Sequence, residues 1–82
     1  MADLKVRMFK GAATEPSTTV SIPVGVLKIA SNLIPPSAAA ELEEQGIDVK
    51  AIIHAAEDPE AHGTLVVVEE HEKDQRIVIA VE

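Results

Sequence analysis

Two runs of β-branched residues near the carboxyl end, Thr64–Glu69 and Gln75–Val81, constrain the fold more than any other part of the chain. Val, Ile and Thr favour strands because their branched side chains pack well on a pleated surface. The charged segment Glu70–Asp74 lies between the runs and is short enough for a turn. The pattern therefore predicts an antiparallel hairpin.

This predicted hairpin is apolar on both faces. Successive strand residues point to opposite sides, so Val66 and Val68 lie on one face and Leu65 and Val67 lie on the other. The partner strand alternates in the same way, with two apolar residues on one side and three on the other: Val78 and Ala80, then Ile77, Ile79 and Val81. An antiparallel sheet that is covered by helices on one side normally has a polar second face, and this pattern lacks one.

The second apolar face predicts a protein interface. A large uncovered apolar patch is uncommon on a monomer, so we expect a homodimer or a protein partner at the outer face or edge of the Leu65–Val81 hairpin. The candidate interface residues are Val66, Val68, Val78 and Ala80. The alternative is a compact monomer in which the helices or the first hairpin cover both faces.

The amino-terminal part of the chain predicts a second hairpin. Leu4–Phe9 alternates apolar and basic residues, which is typical of a half-buried strand. Thr18–Ile22 resumes β-branched alternation, and the intervening Gly11–Ser17 is rich in residues that favour loops. These two strands are expected to pair with each other.

Three helices are expected between the two hairpins. The first runs from about Pro23 to Leu33, because proline suits the first turn of a helix and Pro35 disfavours helical backbone at the residue before it. The second runs from Ala38 to Gln45, with Ser37 as its cap.

The boundary between the second and third helices has a clear local signature, Gly46-Ile47-Asp48. Gly46 can adopt the left-handed conformation that ends a helix, and Asp48 can cap the next one. Ile47 and Ile52 are placed to form a hydrophobic staple around that cap. The third helix then presents Val49, Ile52 and Ile53 on its apolar face.

The predicted order of elements is ββαααββ. Strands grouped at both ends with helices between them indicate an α+β fold, with an antiparallel sheet of about four strands and the helices packed on one face. A chain of 82 residues fits one hydrophobic core, so residues 1–82 are expected to form a single domain.

Composition excludes several kinds of chemistry. The chain has no cysteine, which removes disulfides, thiolate metal sites and cysteine nucleophiles and makes the cytoplasm the default compartment. Phe9 is the only aromatic residue, so the core must be built from aliphatic side chains. No glycine-rich phosphate loop and no activated nucleophile is apparent, and the sequence therefore predicts no enzyme activity and no cofactor.

Charge is unevenly distributed along the chain. Residues 1–30 carry four basic and two acidic residues, a net charge of +2, whereas residues 31–82 carry three basic and twelve acidic residues, a net charge of −9. An acidic body repels phosphate backbones, so we expect no nucleic-acid partner. Membrane attachment through the first predicted helix is disfavoured, because its polar side offers only Lys28 to anionic lipid.

One group of residues could bind a divalent metal. On a helix, His54, Glu57 and Asp58 share a face at positions i, i+3 and i+4, and His62 follows shortly after. The alternative interpretation is a solvated polar face with a histidine at the helix end. Metal or small-ligand binding by these four residues is therefore the second functional hypothesis, after a non-enzymatic interaction or self-association module.

Between Val20 and Val81 the chain combines a strand ending in Ile22-Pro23, an apolar helix closed by Pro35, the Gly46-Ile47-Asp48 signature and a final hairpin entered through Gly63. In this pattern it resembles a group of small uncharacterised bacterial domains of the SHOCT-like type. Such domains occur alone or beside envelope-associated bacterial proteins. The resemblance implies a bacterial origin and an order of elements, and it implies no activity.

Overall fold

The computed structural model describes residues 2–27, 29, 34–72 and 74–82. Four strands and two helices follow one another along the chain, with one turn of 3-10 helix, Val24–Val26, after the second strand. The elements are β1 (Asp3–Lys10), β2 (Thr18–Pro23), α1 (Pro36–Glu44), α2 (Val49–Ala56), β3 (Gly63–Glu70) and β4 (Gln75–Val81).

The four strands form one antiparallel sheet in the order β2-β1-β4-β3. The two expected hairpins, β1–β2 and β3–β4, are both present. β1 also pairs with β4, with Leu4 opposite Val81 and Val6 opposite Ile79. The beginning and the end of the described chain therefore lie side by side at the centre of the sheet, while β2 and β3 form its two edges.

The core is aliphatic, as the composition predicts. Its strand residues alternate along β1, β2, β3 and β4 and are almost fully buried: Leu4, Val6, Ile22, Val68, Ile77, Ile79 and Val81. Residues of both helices and of the segment before α1 belong to the same cluster: Leu27, Ile34, Ala38, Leu42, Ile52, Ile53 and Ala56. Burying each large aliphatic side chain stabilises a fold by roughly 1.5–3 kcal/mol, so this cluster is its main source of stability.

The predicted order ββαααββ, with three helices packed on one face of the sheet, was wrong. The order is β, β, a 3-10 turn, α, α, β, β. Only Val24–Val26 of the expected first helix is helical among the described residues, and Val26 and Ile29 are exposed instead of sharing a buried face. β-Branched residues around Gly25 are weak helix formers, which explains why proline alone does not start a longer helix. Residues 28 and 30–33 of that prediction lie outside the described residues.

The start of α1 also differs from the prediction. The helix begins at Pro36 with Pro35 as its N-cap, and no side chain makes a capping hydrogen bond. Ser37 therefore lies inside the first turn and does not cap the helix. Proline at the first helical position lacks an N–H group that would otherwise need a partner, so α1 begins without a side-chain cap.

The helix end at Gly46 and the cap at Asp48 are both confirmed. Gly46 has a φ of 78°, and its N–H donates to the carbonyl of Glu43 (3.0 Å), while the N–H of Ile47 donates to Leu42 (2.8 Å). These bonds close the helix in a Schellman motif. Asp48 then caps α2 by accepting a hydrogen bond from the backbone N–H of Lys50 at 2.9 Å.

Replacing Asp48 tests this cap. Asp48→Ala is expected to lower the free energy of unfolding by about 1 kcal/mol, because it leaves a first-turn N–H of α2 without its partner. Ser37→Ala is the matched control, since Ser37 makes no capping bond, and it should change the free energy by less than about 0.5 kcal/mol. Urea denaturation measures both values. Equal destabilisation by the two variants would contradict the capping assignment.

Candidate interaction surfaces

A β-bulge changes the face on which Leu65 lies. The register between β3 and β4 shifts between Thr64 and Val66, so Leu65 is the additional residue. Leu65 and Val66 are both half-buried and both pack against the core. The strict alternation that placed Leu65 beside Val67 therefore breaks at the bulge, and Val67 is the one residue of the Leu65–Val68 run that faces away from the core.

The four residues predicted as an interface lie on opposite faces of the sheet. Val66 is opposite Ile79, and Val68 is opposite Ile77, which places both on the core side. Val78 and Ala80 lie on the other side. The structure thus separates this group into two core residues and two residues of the opposite face.

We call the side of the sheet opposite the core the outer face. Strand alternation and the observed registers place on it charged, apolar and hydroxyl residues that include Asp3, Lys5, Arg7, Glu69, Arg76, Phe9, Val67, Val78, Ala80, Thr19, Ser21 and Thr64. Val67 is 52% exposed and is the most exposed apolar residue of this set. Val78 lies opposite it and is half-buried.

An ion pair lies on the outer face beside Ala80. Both nitrogens at the end of the Arg7 guanidinium donate to the two carboxylate oxygens of Glu82, each at 2.7 Å. Arg7 on β1 lies opposite Val78 on β4, and Glu82 follows two residues after Ala80. The side chains of Arg7 and Glu82 therefore meet across the position of Ala80. Ala80 is only 2% exposed. The aliphatic stem of an arginine can shield apolar surface in this way.

A second charged side chain covers Phe9. Arg76 is opposite Phe9 in the register of β1 and β4, and its guanidinium carbon lies 4.4 Å from the centre of the ring. A cation–π contact at this distance stabilises the pair by roughly 0.5–1 kcal/mol. The bulge and these two contacts together reduce the apolar outer face of the hairpin to Val67 and Val78.

The contact between Arg7 and Glu82 shifts the pKa of both groups. Hydrogen bonding to Arg7 is the largest cause that lowers the pKa of the Glu82 carboxyl, and the same bonds raise the pKa of Arg7. Both groups are well exposed to water, so the contribution to stability is small. That contribution is present above the pKa of an unfolded glutamate and is lost as the pH falls through the lowered pKa of the folded state.

The two edges of the sheet differ in chemistry. β3 carries the bulge near its beginning and Glu69 and Glu70 at its end. Bulges and charged residues are the features by which natural edge strands avoid pairing with other chains. β2 has no bulge in its pairing with β1, and no residue of Thr18–Pro23 is charged.

The residues predicted to bind metal are only partly brought together. His54, Glu57 and Asp58 line one shallow surface depression with Ala55 and Pro59. His62 does not line this depression within the described residues; its Nδ1 lies 3.0 Å from the carbonyl oxygen of Glu60. Three of the four residues therefore lie around one depression, but their ligand atoms do not all fall within 4.8 Å of one another.

A group of carboxylates that the sequence did not indicate lies elsewhere. One ligand atom from each of Glu41, Glu44 and Glu70 falls within 4.8 Å of the others, and no other group of three such residues does so in the part of the chain that the structure describes. Glu41 is 2% exposed. The spacing of Glu41 and Glu44 places them on one face of α1, but Glu70 joins them only through the fold, so no sequence pattern marks the group.

The fold and its surfaces define a small acidic α+β domain with a two-edged antiparallel sheet. The family model for the YvlB-like protein, C-terminal domain, matches residues 3–80. The chain therefore belongs to the family of YvlB-like C-terminal domains. This confirms the resemblance to small bacterial domains of unknown function, whereas the SHOCT-like assignment is not confirmed.

Two other comparisons gave no match. The chain matches no curated protein and no solved structure. No helix within the described ranges is long and apolar enough to cross a membrane.

The ion pair on the outer face makes a prediction that titration can test. Arg7→Ala should raise the pKa of the Glu82 carboxyl towards the ordinary glutamate value, because the hydrogen bonds that favour the ionised form are lost. Arg76→Ala is the control, since Arg76 contacts Phe9 instead, and it should leave the pKa of Glu82 unchanged. NMR titration of the side-chain carboxyl carbons measures both. The same pKa for Glu82 in the wild type and in Arg7→Ala would rule out the pairing in solution.

Proposed function

We propose that this domain is a non-enzymatic protein-interaction module that self-associates through its sheet. The observation that carries the proposal is the exposure of both sheet edges. β1 and β4 each have a neighbour on both sides, whereas β2 and β3 each have one neighbour among the described residues. An edge strand presents a row of backbone N–H and carbonyl groups that can pair with a strand of another chain.

Two further features support this proposal. Val67 is exposed beside the half-buried Val78, so the hairpin retains a small apolar surface next to the β3 edge. The sheet has four strands in the part of the chain that the structure describes, and pairing of two edges would join two such sheets into one larger sheet. Main-chain hydrogen bonds would then provide affinity, and the side chains along the edge would provide specificity.

Light scattering over a range of protein concentrations tests the proposal. The chain has a mass of 8.7 kDa, and the expected result is a shift towards twice this mass as the concentration rises, because edge pairing is a bimolecular equilibrium. A mass that stays at the single-chain value from micromolar to millimolar concentration would overturn self-association.

Metal binding is the competing function, and the shared depression of His54, Glu57 and Asp58 is the observation that favours it. An imidazole and carboxylates suit zinc. If this function is correct, titration with zinc shifts the NMR resonances of His54 but not those of His71, which lies in the β3–β4 turn and serves as an internal reference. Equal responses of the two histidines would exclude a specific site there.

A further inference from the structure

We infer that the self-association surface is the free edge of β2, against which a second copy of the chain adds its own β2 in the antiparallel direction. This inference rests on the proposed self-association and specifies its surface and geometry. The resulting sheet would have eight strands, with the two β2 strands at its centre.

The difference between the two edges favours β2 over β3. Thr18–Ile22 contains three β-branched residues in a row, then serine and isoleucine, and it contains no charged residue. Thr18, Thr19 and Ser21 are exposed, so their edge is accessible within the described part of the chain. Neutral segments with high β-propensity pair readily with other strands. The bulge and the two glutamates, which hinder edge pairing, are on β3, whereas β2 has one such feature, Pro23 at its end.

An antiparallel pair of β2 strands has a natural register. A twofold axis at Val20 places Val20 of one copy opposite Val20 of the other. Thr19 then lies opposite Ser21, and Thr18 lies opposite Ile22. Val20 is half-buried and packs against the core, so the pair would extend the apolar core face from one chain into the next. Thr19 and Ser21 lie on the outer face. The Thr19 hydroxyl can hydrogen-bond across the pair, whereas the Ser21 hydroxyl already accepts from Lys5 Nζ and donates to Asp3 Oδ2 in its own chain.

The charge distribution also favours a second copy at this edge. Each chain carries a net charge of −7, yet residues 1–30, which include β1 and β2, carry a net charge of +2. Two copies that approach through β2 therefore keep their acidic regions apart, whereas an approach through β3 brings Glu69 and Glu70 to the interface. Less repulsion allows faster and tighter association.

The cations beside β2 already have partners in the same chain. Lys5 Nζ donates to Ser21 Oγ at 2.9 Å, and Arg7 is held by Glu82. They are not needed to neutralise an acidic partner strand. The edge therefore fits an uncharged strand, and the chain's own β2 is one.

Single cysteines provide a test, because the natural chain has none. Facing residues of antiparallel strands have Cβ atoms about 4.5–5.5 Å apart, close to the spacing of a disulfide. Val20→Cys should form a covalent dimer under mild oxidation. Val67→Cys is the matched control, a valine of the other edge strand, and it should form little covalent dimer under the same conditions.

A second pair of variants tests the register and uses only exposed positions. A mixture of Thr19→Cys and Ser21→Cys chains should give mainly the mixed disulfide, which mass spectrometry distinguishes from the two symmetric products. This outcome requires antiparallel pairing about Val20. Circular dichroism checks that each variant is folded before oxidation.

The outcomes separate the inference from the function on which it rests. A wild-type mass that remains that of one chain overturns both. A wild-type dimer that cross-links through Val67→Cys, and not through Val20→Cys or the mixed pair, leaves self-association intact and overturns the β2 edge as its surface. Cross-linking through Val20→Cys together with the mixed disulfide supports the inference.

Discussion

β1 and β4 pair from Leu4 opposite Val81 to Lys10 opposite Gln75, and this pairing joins two hairpins that would be marginally stable alone. It also closes nearly the whole chain into one loop. Ordering the residues of this loop costs conformational entropy. The aliphatic cluster that β1 and β4 share with the helices offsets that loss. The edges, the outer face and the arrangement of charges all follow from the position of these two strands at the centre of the sheet.

On the outer face, a few local contacts make the surface less apolar than the sequence pattern predicted. A hairpin with two apolar faces suggests a large uncovered surface, but three features of the fold reduce that surface. The bulge at Leu65 turns one apolar residue towards the core, Ala80 is almost fully buried in the row that the Arg7–Glu82 pair crosses, and Arg76 lies over Phe9. The apolar surface that remains on this face of the hairpin lies at Val67 and Val78.

The edges of the sheet are therefore better candidates for a binding surface than its outer face. An apolar face attracts a partner by burial of surface, whereas an edge attracts a strand through backbone hydrogen bonds. If the domain self-associates as proposed, the contrast between the neutral β2 and the bulged, acidic β3 favours pairing through β2. A continuous sheet across two chains would leave the acidic α1 of each chain on a separate molecule.

The sequence by itself determined the local features of this protein. The four strands and the Gly46–Asp48 boundary were predicted correctly because they depend on nearby residues, such as the cap that Asp48 makes two residues ahead. The expected helix from Pro23 did not form in the described residues beyond Val24–Val26, because a favourable first residue cannot offset weak helix formers after it.

Tertiary structure decided the rest, since it depends on residues far apart in the chain. Arg7 and Glu82 meet only because β1 and β4 are neighbours, and Glu70 reaches Glu41 and Glu44 only because β3 and α1 come together. The bulge at Leu65 likewise arises from the fit of β3 against β4 and the core. Alternation and helical spacing describe one element at a time, whereas contacts between elements depend on how those elements pack.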